Sequence, residues 1–333
     1  MSIEQLVPGG EPPADHICDI IAAAFARDNV VPFLGAGASV NPADEHTLPL
    51  GSQFAERLAS SGRYPFSERR PIDALTKIAQ WYEEVTFGRH DLLDEVRSTF
   101  FEAVPSEYST PWVAFLGAFL VVASAGEQKL PRHFPRLIIT TNYDDLVERT
   151  LDRHGVPYVV LAHVRAGSAK AGQMLYRDSR GAGVDVKTSI EVDAELKNAG
   201  FLESAPGMCV IYKMHGTIPV EYEDELLDSI VLTETDYIDF IADGVLDAIP
   251  SLITRHLRKS HFLFLGYSLQ DWNFRVFLRR LQKRNLSGSK HWAILQNPDE
   301  VEKTFFDKRS VTVREYDLAE FLPKLLEAIR RQP

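Results

Sequence analysis

The sequence predicts an α/β protein with a Rossmann-like, doubly wound and mostly parallel sheet. Short apolar runs rich in β-branched and aromatic residues alternate with stretches of helical spacing or loop. Runs that are apolar throughout, rather than at every second residue, are typical of parallel strands buried on both faces. Helices between such strands cover those faces. The predicted strands are the run that ends at Leu34 and residues 137–140, 158–161, 208–212, 261–265, 292–295 and 311–313.

Composition limits the classes of protein to which the chain can belong. With 333 residues, 45% of them hydrophobic, it suits one large domain or two modest ones, and either can bury a sizeable core. We expect a flexible lead over residues 1–14, which is rich in proline and glycine, and a single domain over residues 15–333. The net charge of −11 argues against broad affinity for nucleic acid or for an anionic membrane.

The sequence lacks the usual patterns for export or membrane insertion. No apolar run approaches the ~18 residues of a membrane span, and the first residues lack the apolar core of a signal peptide. We therefore expect a cytoplasmic protein. The two cysteines, Cys18 and Cys209, can form neither a disulfide framework nor a four-cysteine zinc site within the chain.

Two long insertions are predicted between the strands. Residues from about 52 to 128 show helical spacing and almost no strand signal, which predicts a helical insertion. Within it, residues 111–125 are apolar on nearly every side, which predicts either a deeply buried helix or a subunit contact, and we favour the core. A loop-rich insertion is predicted at about 163–207, where the Gly, Ser and Ala content of residues 166–183 indicates a mobile surface loop.

A glycine-rich turn, GAGAS at residues 35–39, follows the first predicted strand. Glycine permits positive φ and close approach of a ligand, and the amides of such a turn, with the N-terminus of a following helix, can bind a phosphate. A Walker loop does not fit because no lysine follows before Lys77, and Val40 replaces the third glycine of the dehydrogenase fingerprint. The alternative is a plain glycine-rich turn.

Three further predicted strands end in polar or glycine residues. Asn142 and Asp144 follow the second predicted strand. His215 follows the fourth, and Gly266 begins the turn after the fifth. Ligands of open α/β sheets bind at the carboxyl ends of strands, so these residues and the GAGAS turn are expected to form one polar crevice. Each has a plainer reading, because Asn142 or Asp144 can cap the following helix and a lone histidine is usually structural or at the surface.

Taken in order, four motifs resemble those of the sirtuin, or silent information regulator, family. They are GAGAS at 35–39, TTNYD at 140–144, HG at 215–216 and GYS at 266–268. The sirtuin motifs GAGxS, TQNxD and a catalytic HG occur in the same order. The chain looks most like the bacterial sirtuin-like proteins of antiphage defence systems, and the resemblance spans roughly residues 16–320 in topology.

The resemblance implies a site for NAD and a role for each motif residue. Asn142 would hold water and the ribose hydroxyls, His215 would be the general base, and Asp144 would stabilise the developing cation or orient a ribose hydroxyl. The residues expected to contact NAD are Gly35, Ala36, Gly37, Ser39, Thr141, Gly266, Tyr267, Ser268 and Asn297. For Asn297, which precedes Pro298, the alternative is a turn residue.

Departures from the deacylase pattern favour NAD hydrolysis. The two CxxC pairs of the zinc ribbon are absent, so no zinc is expected, and Thr141 stands where deacylases have glutamine. Residues 217–220, TIPV, lack the acidic, proline-bearing segment that grips an acyl-lysine peptide. The resemblance thus implies a NAD+ glycohydrolase that yields nicotinamide and ADP-ribose, an effector that depletes NAD in antiphage defence by abortive infection. The alternatives are a NAD-dependent deacylase or ADP-ribosyltransferase, and a non-catalytic module that binds NAD or ADP-ribose.

An enzyme that hydrolysed NAD freely would poison its own cell, so some control is expected. Little chain follows Tyr316, and we expect no separate sensor domain within it. Activity is then expected to depend on assembly, as a homo-oligomer or with a separate subunit such as a HerA-type ATPase or a short Argonaute. Contacts are predicted from the helical insertion, including Trp112 and Phe119 if they are not core. A basic helix at 271–284 is a further candidate, and its alternative reading is a solvated face.

Overall fold

A computed structural model of the chain shows the sheet that the sequence predicts. In the described residues nine strands form one sheet, and two further short strands pair as a hairpin. The described residues are 14–44, 47–65, 74–121, 130, 132–166, 168–181, 183–203, 207–218, 220–222, 225–242, 249–267 and 290–332.

The strands follow the apolar runs of the sequence. They are β1 (Val30–Leu34), β2 (Leu137–Thr140), β3 (Tyr158–His163), β4 (Met174–Asp178), β5 (Asp185–Lys187), β6 (Cys209–Lys213), β7 (Val220–Tyr222), β8 (Glu225–Leu227), β9 (His261–Leu265), β10 (His291–Leu295) and β11 (Val311–Glu315). The order in the large sheet is β11-β10-β9-β1-β2-β6-β3-β4-β5. Every pair from β11 to β3 is parallel, and β4 and β5 add antiparallel at one edge. The predicted fold class is confirmed.

Helices lie between most of the strands. They are α1 (Ala14–Phe25), α2 (Gly51–Ser61), α3 (Leu75–Val85), α4 (Arg89–Arg97), α5 (Pro111–Val121), α6 (Leu146–Arg153), α7 (Ser189–Asn198), α8 (Glu234–Ala242), α9 (Ser251–Leu257), the helix Glu300–Asp307 and the C-terminal helix Leu318–Arg330. Several begin at side-chain caps that satisfy a free amide of the first turn. Thr188 accepts the amide of Glu191 at the start of α7, and Asp299 accepts that of Glu302 at the start of Glu300–Asp307.

Neighbouring residues of a strand face opposite sides of the sheet, and both sides are core. In β1, Val30 and Leu34 belong to one buried cluster, whereas Val31 and Phe33 belong to the other. The first cluster includes α1, α5 and the C-terminal helix, and the second includes α7 and α9. Burying one such side chain contributes about 1.5–3 kcal/mol, so strands covered on both faces are apolar throughout.

A third buried cluster lies among the helices between β1 and β2. α2, α3 and α4 pack together through side chains such as Phe54, Ile78 and Leu92. The same cluster includes Tyr143, just after β2, and Ile230, near the HG motif. These helices therefore lie against the segments that follow β2 and β6. The bounds of a helical insertion at about 52–128 stay a prediction.

The apolar helix α5 belongs to the core, as favoured from the sequence. Trp112 and Phe119 are 2% and 5% exposed, and both pack in the cluster that contains α1 and the C-terminal helix. Arg330 of the C-terminal helix donates a hydrogen bond to the backbone oxygen of Ala118. Trp112 and Phe119 are therefore not available for a subunit contact.

The prediction of a surface loop at 166–183 is partly wrong. Residues Met174–Asp178 form β4, which pairs with β3, and Met174, Leu175 and Tyr176 are buried. This apolar triplet is too short to stand out among glycine and serine, and it becomes a strand because the edge of β3 offers it hydrogen-bond partners. β5 and α7 also lie within the region predicted as loop-rich, 163–207.

Some predicted segments cannot be compared with the structure. Residues 1–13 of the predicted flexible lead lie outside the described residues, and Ala14 begins α1. The predicted basic helix at 271–284 also lies outside them. No helix among the described residues is long and apolar enough to cross a membrane.

Candidate functional site

The carboxyl ends of four neighbouring strands meet at one edge of the sheet. β9, β1, β2 and β6 lie side by side and are parallel. Leu34 at the end of β1 is in register with Leu265 on one side and with Thr140 on the other. The chain passes from β1 to β2 and later returns to the other side of β1 as β9, which is the kind of switch in strand order where open α/β sheets bind ligands. All four sequence motifs begin at this edge.

The glycine-rich turn is bonded through its backbone to the turn after β9. The amide of Gly35 donates to the backbone oxygen of Leu265 at 2.9 Å, and that of Gly37 donates to the backbone oxygen of Gly266 at 2.9 Å. The amide of Ala38 donates to the oxygen of Gly35 within the turn. Because the protein itself uses these three donors, the predicted phosphate-binding nest is without them.

The two glycines of this turn are needed because the backbone packs closely there, and not because they have a positive φ. Gly35 has a φ of −104°, and Gly37 also lies outside the left-handed region. A Cβ atom on Gly35 would lie 2.6 Å from the oxygen of Gly266, and one on Gly37 would lie 2.9 Å from the Cα atom of Gly266. The left-handed residue is Gly266, with a φ of +64°. The two glycines of the turn do not use the positive φ that glycine permits, and the helix that follows is a single 3₁₀ turn, Ala36–Ser39.

Asn142 follows β2 and is held by two hydrogen bonds from its side-chain amide. Its Nδ2 atom donates to the backbone oxygen of Gly35 at 2.9 Å and to the hydroxyl of Ser39 at 2.8 Å. A carbonyl oxygen can only accept, so Nδ2 rather than Oδ1 lies on that side. The backbone amide of Asn142 donates to the hydroxyl of Thr140 at 3.0 Å. The half-buried side chain thus keeps Oδ1 as its remaining acceptor.

Asp144 lies behind Ser39 and joins the same network. The Ser39 hydroxyl donates to Oδ2 of Asp144 at 2.6 Å. Oδ1 of Asp144 accepts the amide of Leu146, the first residue of α6, at 3.2 Å. Asp144 therefore satisfies the first amide of α6 and anchors Ser39 at once, although the N-cap residue of the helix is Asp145.

The environment of Asp144 disfavours its charged form. The residue is 6% exposed. Burial raises the pKa of Asp144 above its ordinary value, and the ammonium group of Lys213 and the hydrogen bond from Ser39 oppose part of that rise. A buried carboxyl group with a shifted pKa is a frequent feature of functional sites.

His215 lies two residues past the end of β6 and is buried. Its backbone oxygen accepts the amide of Val231 at 3.0 Å, and its ring lies against that of Tyr237 on α8, with 5.6 Å between the ring centres. Asn142 and His215 each lie two residues past Thr140 and Lys213, the last paired positions of β2 and β6. The structure therefore brings these two residues to the ends of adjacent strands.

A buried ion-pair network ties the loop beside the HG motif to α4. Arg89, at the start of α4, contacts Asp228 at 2.7 Å and Asp236 at 2.8 Å, and it donates to the backbone oxygen of Ile230. Arg165 also contacts Asp236. Burial on its own raises the pKa of Asp236, but Arg89, Arg165 and backbone amides outweigh burial and hold that pKa below its ordinary value.

Replacing Arg89 with methionine is expected to lower the free energy of unfolding by about 3 kcal/mol at neutral pH, because the buried carboxylate of Asp236 and the partly buried one of Asp228 lose a shared cation. The loss should fade below about pH 4. The folded-state pKa of Asp236 is depressed, so its stabilisation is present above the ordinary pKa and disappears as the pH falls through the folded-state value. Urea denaturation at neutral pH and in acid measures both effects.

Arg57→Met is the matched control for that experiment. Arg57 is 49% exposed and pairs with Glu95 at 3.2 Å, a surface ion pair that contributes less than about 1 kcal/mol. Equal losses of stability in the Arg89 and Arg57 variants, or an Arg89 effect that is undiminished in acid, would contradict the buried network.

Tyr267 lies in the core rather than in the crevice. Its ring packs edge-on against Phe33, with 5.3 Å between the ring centres, and 7% of the residue is exposed. Its hydroxyl donates to the hydroxyl of Thr141 at 3.0 Å, and the amide of Thr141 donates to the backbone oxygen of Leu34. Tyr267 and Thr141 therefore hold the strand ends together, and direct contact of either with NAD stays a prediction.

The remaining predicted NAD contacts have different positions. Asn297 is exposed after β10 and has a φ of +51°, a left-handed conformation that asparagine tolerates. This conformation agrees with the alternative interpretation of Asn297 as a turn residue. In the part of the chain that the structure describes, its side chain makes no hydrogen bond to the network of Asn142. Ala36 is exposed at the tip of the GAGAS turn. Ser268 lies outside the described residues.

A buried ion pair beneath the crevice was not foreseen from the sequence. Lys213, the last residue of β6, is 0% exposed and contacts Glu148 of α6 at 2.9 Å. A lysine at the end of an otherwise apolar strand is the signal that could have found it, because buried lysines are almost always paired. Glu148 lies three residues before Leu151, on the buried face of its helix.

Comparison with known proteins agrees with this geometry. The family model described as a SIR2-like domain matches residues 136–314, which is more than half of the chain. The chain belongs to the SIR2-like family. SIR2-like domains bind NAD+, and members of the family are NAD-dependent enzymes. No curated protein matches the chain significantly.

The matched segment of this SIR2-like protein contains Asn142, Asp144, His215 and Gly266, but it begins after the GAGAS turn. The structure connects the GAGAS turn to the matched segment, because the turn is hydrogen-bonded to Asn142 and to Gly266. Among the described residues, no group of three or more His, Cys, Asp or Glu side chains is arranged to hold a metal ion.

Proposed function

We propose that this SIR2-like protein is a NAD+ glycohydrolase, which converts NAD+ and water into nicotinamide, ADP-ribose and a proton. The observation that carries the proposal is the fixed side chain of Asn142. Its amide nitrogen is held by Gly35 and Ser39, so its oxygen remains to accept a hydrogen bond. A rigid, uncharged acceptor can orient water or a ribose hydroxyl without attacking the sugar itself. His215, two residues past the end of the neighbouring strand β6, supplies a base.

The proposed reaction breaks the bond between the nicotinamide nitrogen and C1 of its ribose. The electron pair of that bond leaves with the nitrogen, and positive charge develops on the ribose ring, as in glycoside hydrolysis. The oxygen of water attacks C1 while one hydrogen of that water is bonded to Oδ1 of Asn142, and the released proton passes to His215 and then to solvent. Asp144 acts through Ser39, because both of its oxygens are already bonded to the protein.

Two features support hydrolysis over protein deacylation. Cys18 and Cys209 are both buried and are too few for a zinc ribbon. The backbone just after the HG motif is already paired within the protein, because the amide of Thr217 donates to the Ser229 hydroxyl at 2.9 Å and that hydroxyl donates to the oxygen of Thr217. This is the region with which deacylases hold an acyl-lysine peptide, so the pairing leaves less backbone for such a substrate.

Products formed from NAD+ with and without an acetyl-lysine peptide test this proposal. We expect nicotinamide and ADP-ribose in equal amounts on chromatography, at a rate that the peptide does not change. An acetylated ADP-ribose that forms only with peptide would instead indicate deacylation, and ADP-ribose attached to an acceptor protein would indicate transfer. Protection against unfolding by NAD+ without release of nicotinamide would indicate a binding module.

We propose further that the activity is cytoplasmic and serves antiphage defence, where loss of NAD stops the infected cell. Such an enzyme must be inactive before infection, so we propose control by assembly, as a homo-oligomer or with a separate subunit such as a HerA-type ATPase or a short Argonaute. The surface of α2, α3 and α4 is the candidate contact. Mass measurement in solution alongside NAD+ turnover tests this, and a stable monomer with full turnover and no dependence on a partner would refute it.

A further inference from the structure

The ammonium group of Lys213 bridges the two strand ends that carry the proposed catalytic pair. Its Nζ atom donates to the backbone oxygens of Tyr143 at 3.2 Å and Asp144 at 2.5 Å, and it contacts Oε1 of Glu148 at 2.9 Å. The two backbone oxygens accept hydrogen bonds from the ammonium group, and the carboxylate of Glu148 pairs with its charge. All three lie in the segment just after the catalytic asparagine, whereas Lys213 lies two residues before the catalytic histidine.

We infer that Lys213 and Glu148 are a positioning pair that holds Asn142 in place relative to His215, an inference that rests on the proposed function. Lys213 is fully buried, so it acts on turnover only through the loop that it holds. A displacement of about 1 Å in a catalytic group can lower a rate about a hundredfold. A side chain that joins the two strand ends therefore matters for the rate.

Backbone pairing alone does not extend to the catalytic residues. The ladder between β2 and β6 ends where the amide of Met214 donates to the backbone oxygen of Thr140 at 2.9 Å. Beyond that bond the chain of β2 turns towards α6, and the chain of β6 turns into the HG motif. Lys213 makes its contacts across this divergence, at the point where the backbone ladder stops.

The burial of two charges indicates that the pair does more than fill space. Cys209 and Ile211 share one face of β6 with Lys213, and both lie in the apolar core. Glu148 is 3% exposed. Replacing a buried ion pair by apolar side chains of similar volume is often neutral or stabilising. Stability alone therefore gives little reason for this pair, whereas the geometry that it fixes does.

The test compares three variants of the full chain. Lys213→Met removes the nearer cation of the buried Glu148, which among the described residues keeps only Arg177 at 3.6 Å, and this variant is expected to be unstable. The double variant Lys213→Met/Glu148→Met removes both charges, keeps a similar volume and is expected to fold. Arg136→Met is the matched control, because Arg136 is a buried cation at the amino end of β2, away from the crevice, and donates to the backbone oxygens of Phe201 and Glu203.

Turnover of NAD+ separates positioning from charge neutralisation. In the double variant we expect kcat to fall by about tenfold or more while KM stays within about threefold of the wild-type value. Its Tm should equal that of the wild type or exceed it. Arg136→Met should lose thermal stability and keep the wild-type kcat. Full kcat in the double variant would overturn the inference, because the pair would then serve only to neutralise charge.

Hydrogen exchange gives a readout that does not depend on NAD+ cleavage. The backbone amides of residues 141–146 are expected to exchange about tenfold faster or more in the double variant, and at the wild-type rate in Arg136→Met. Unchanged exchange in the double variant would overturn the inference whatever the activity. Faster exchange in the double variant, together with a wild-type chain that does not cleave NAD+ even when assembled with its partner, would reject the proposed function and support the positioning role.

Discussion

Replacing Asn142 with alanine is expected to lower kcat for NAD+ cleavage by about a thousandfold or more, with little change in KM. The substitution removes the Oδ1 acceptor that orients water and the ribose, while the rest of the crevice still binds NAD+. His215→Ala should give a loss of similar size, because the attacking water then has no base at the neighbouring strand end. Initial rates of nicotinamide release over a range of NAD+ concentrations measure both variants.

Thermal unfolding must accompany these rates, because the Asn142 amide also holds Gly35 and Ser39. Losing two hydrogen bonds is expected to cost about 2 kcal/mol of stability, which leaves a folded protein to assay. Asn142→Asp is the sharper variant, since it keeps the size but sets a carboxylate oxygen against the backbone oxygen of Gly35, where Nδ2 now lies at 2.9 Å. Retained activity in both Asn142→Ala and His215→Ala would mean that the site lies elsewhere.

Replacing Gly216 with alanine is expected to lower the free energy of unfolding by about 4 kcal/mol. Gly216 has a φ of +86°, and a Cβ atom there would lie 1.9 Å from the backbone oxygen of Ser229. The neighbour is backbone rather than a flexible side chain, so the loop beside His215 must move to accept it. Urea denaturation measures the loss.

Gly155→Ala is the control that separates strain from overlap. Gly155 has a φ of +63°, but a Cβ atom there would have no neighbour within 4 Å. Only the left-handed backbone then opposes alanine, and the expected loss is about 1 kcal/mol. Losses of equal size at the two positions would show that Ser229 does not press on Gly216.

The strands were largely predictable because burial on both faces leaves a continuous apolar run. Leu137–Thr140 is β2 with the bounds that the sequence predicts. The prediction for β11 ended two residues early. β11 is an edge strand, and its last residues, Arg314 and Glu315, are charged and incompletely buried, so they do not continue the apolar run. β4 was missed for a related reason, since its apolar part is three residues long and depends on β3 for its hydrogen bonds.

The candidate site was predictable only in outline. Asn142 and His215 could be identified because polar residues at the ends of apolar strands are conspicuous. The packing of Gly35 against Gly266 could not, because it joins strands separated by most of the chain. The pair of Lys213 with Glu148 likewise depends on which strands are neighbours and on how α6 packs against them. Neither can be predicted from the spacing of residues in the sequence.

The balance of products from NAD+ alone tests the central claim most directly. Wild-type protein, assembled with a partner if one proves necessary, is incubated with NAD+ in weakly buffered solution. Nicotinamide and ADP-ribose are measured by chromatography, and the proton is measured by titration. We predict one nicotinamide, one free ADP-ribose and one proton for each NAD+ consumed, with no acylated or acceptor substrate present, and no products with Asn142→Ala. Nicotinamide without matching free ADP-ribose, or bound NAD+ that stays intact, would contradict hydrolysis.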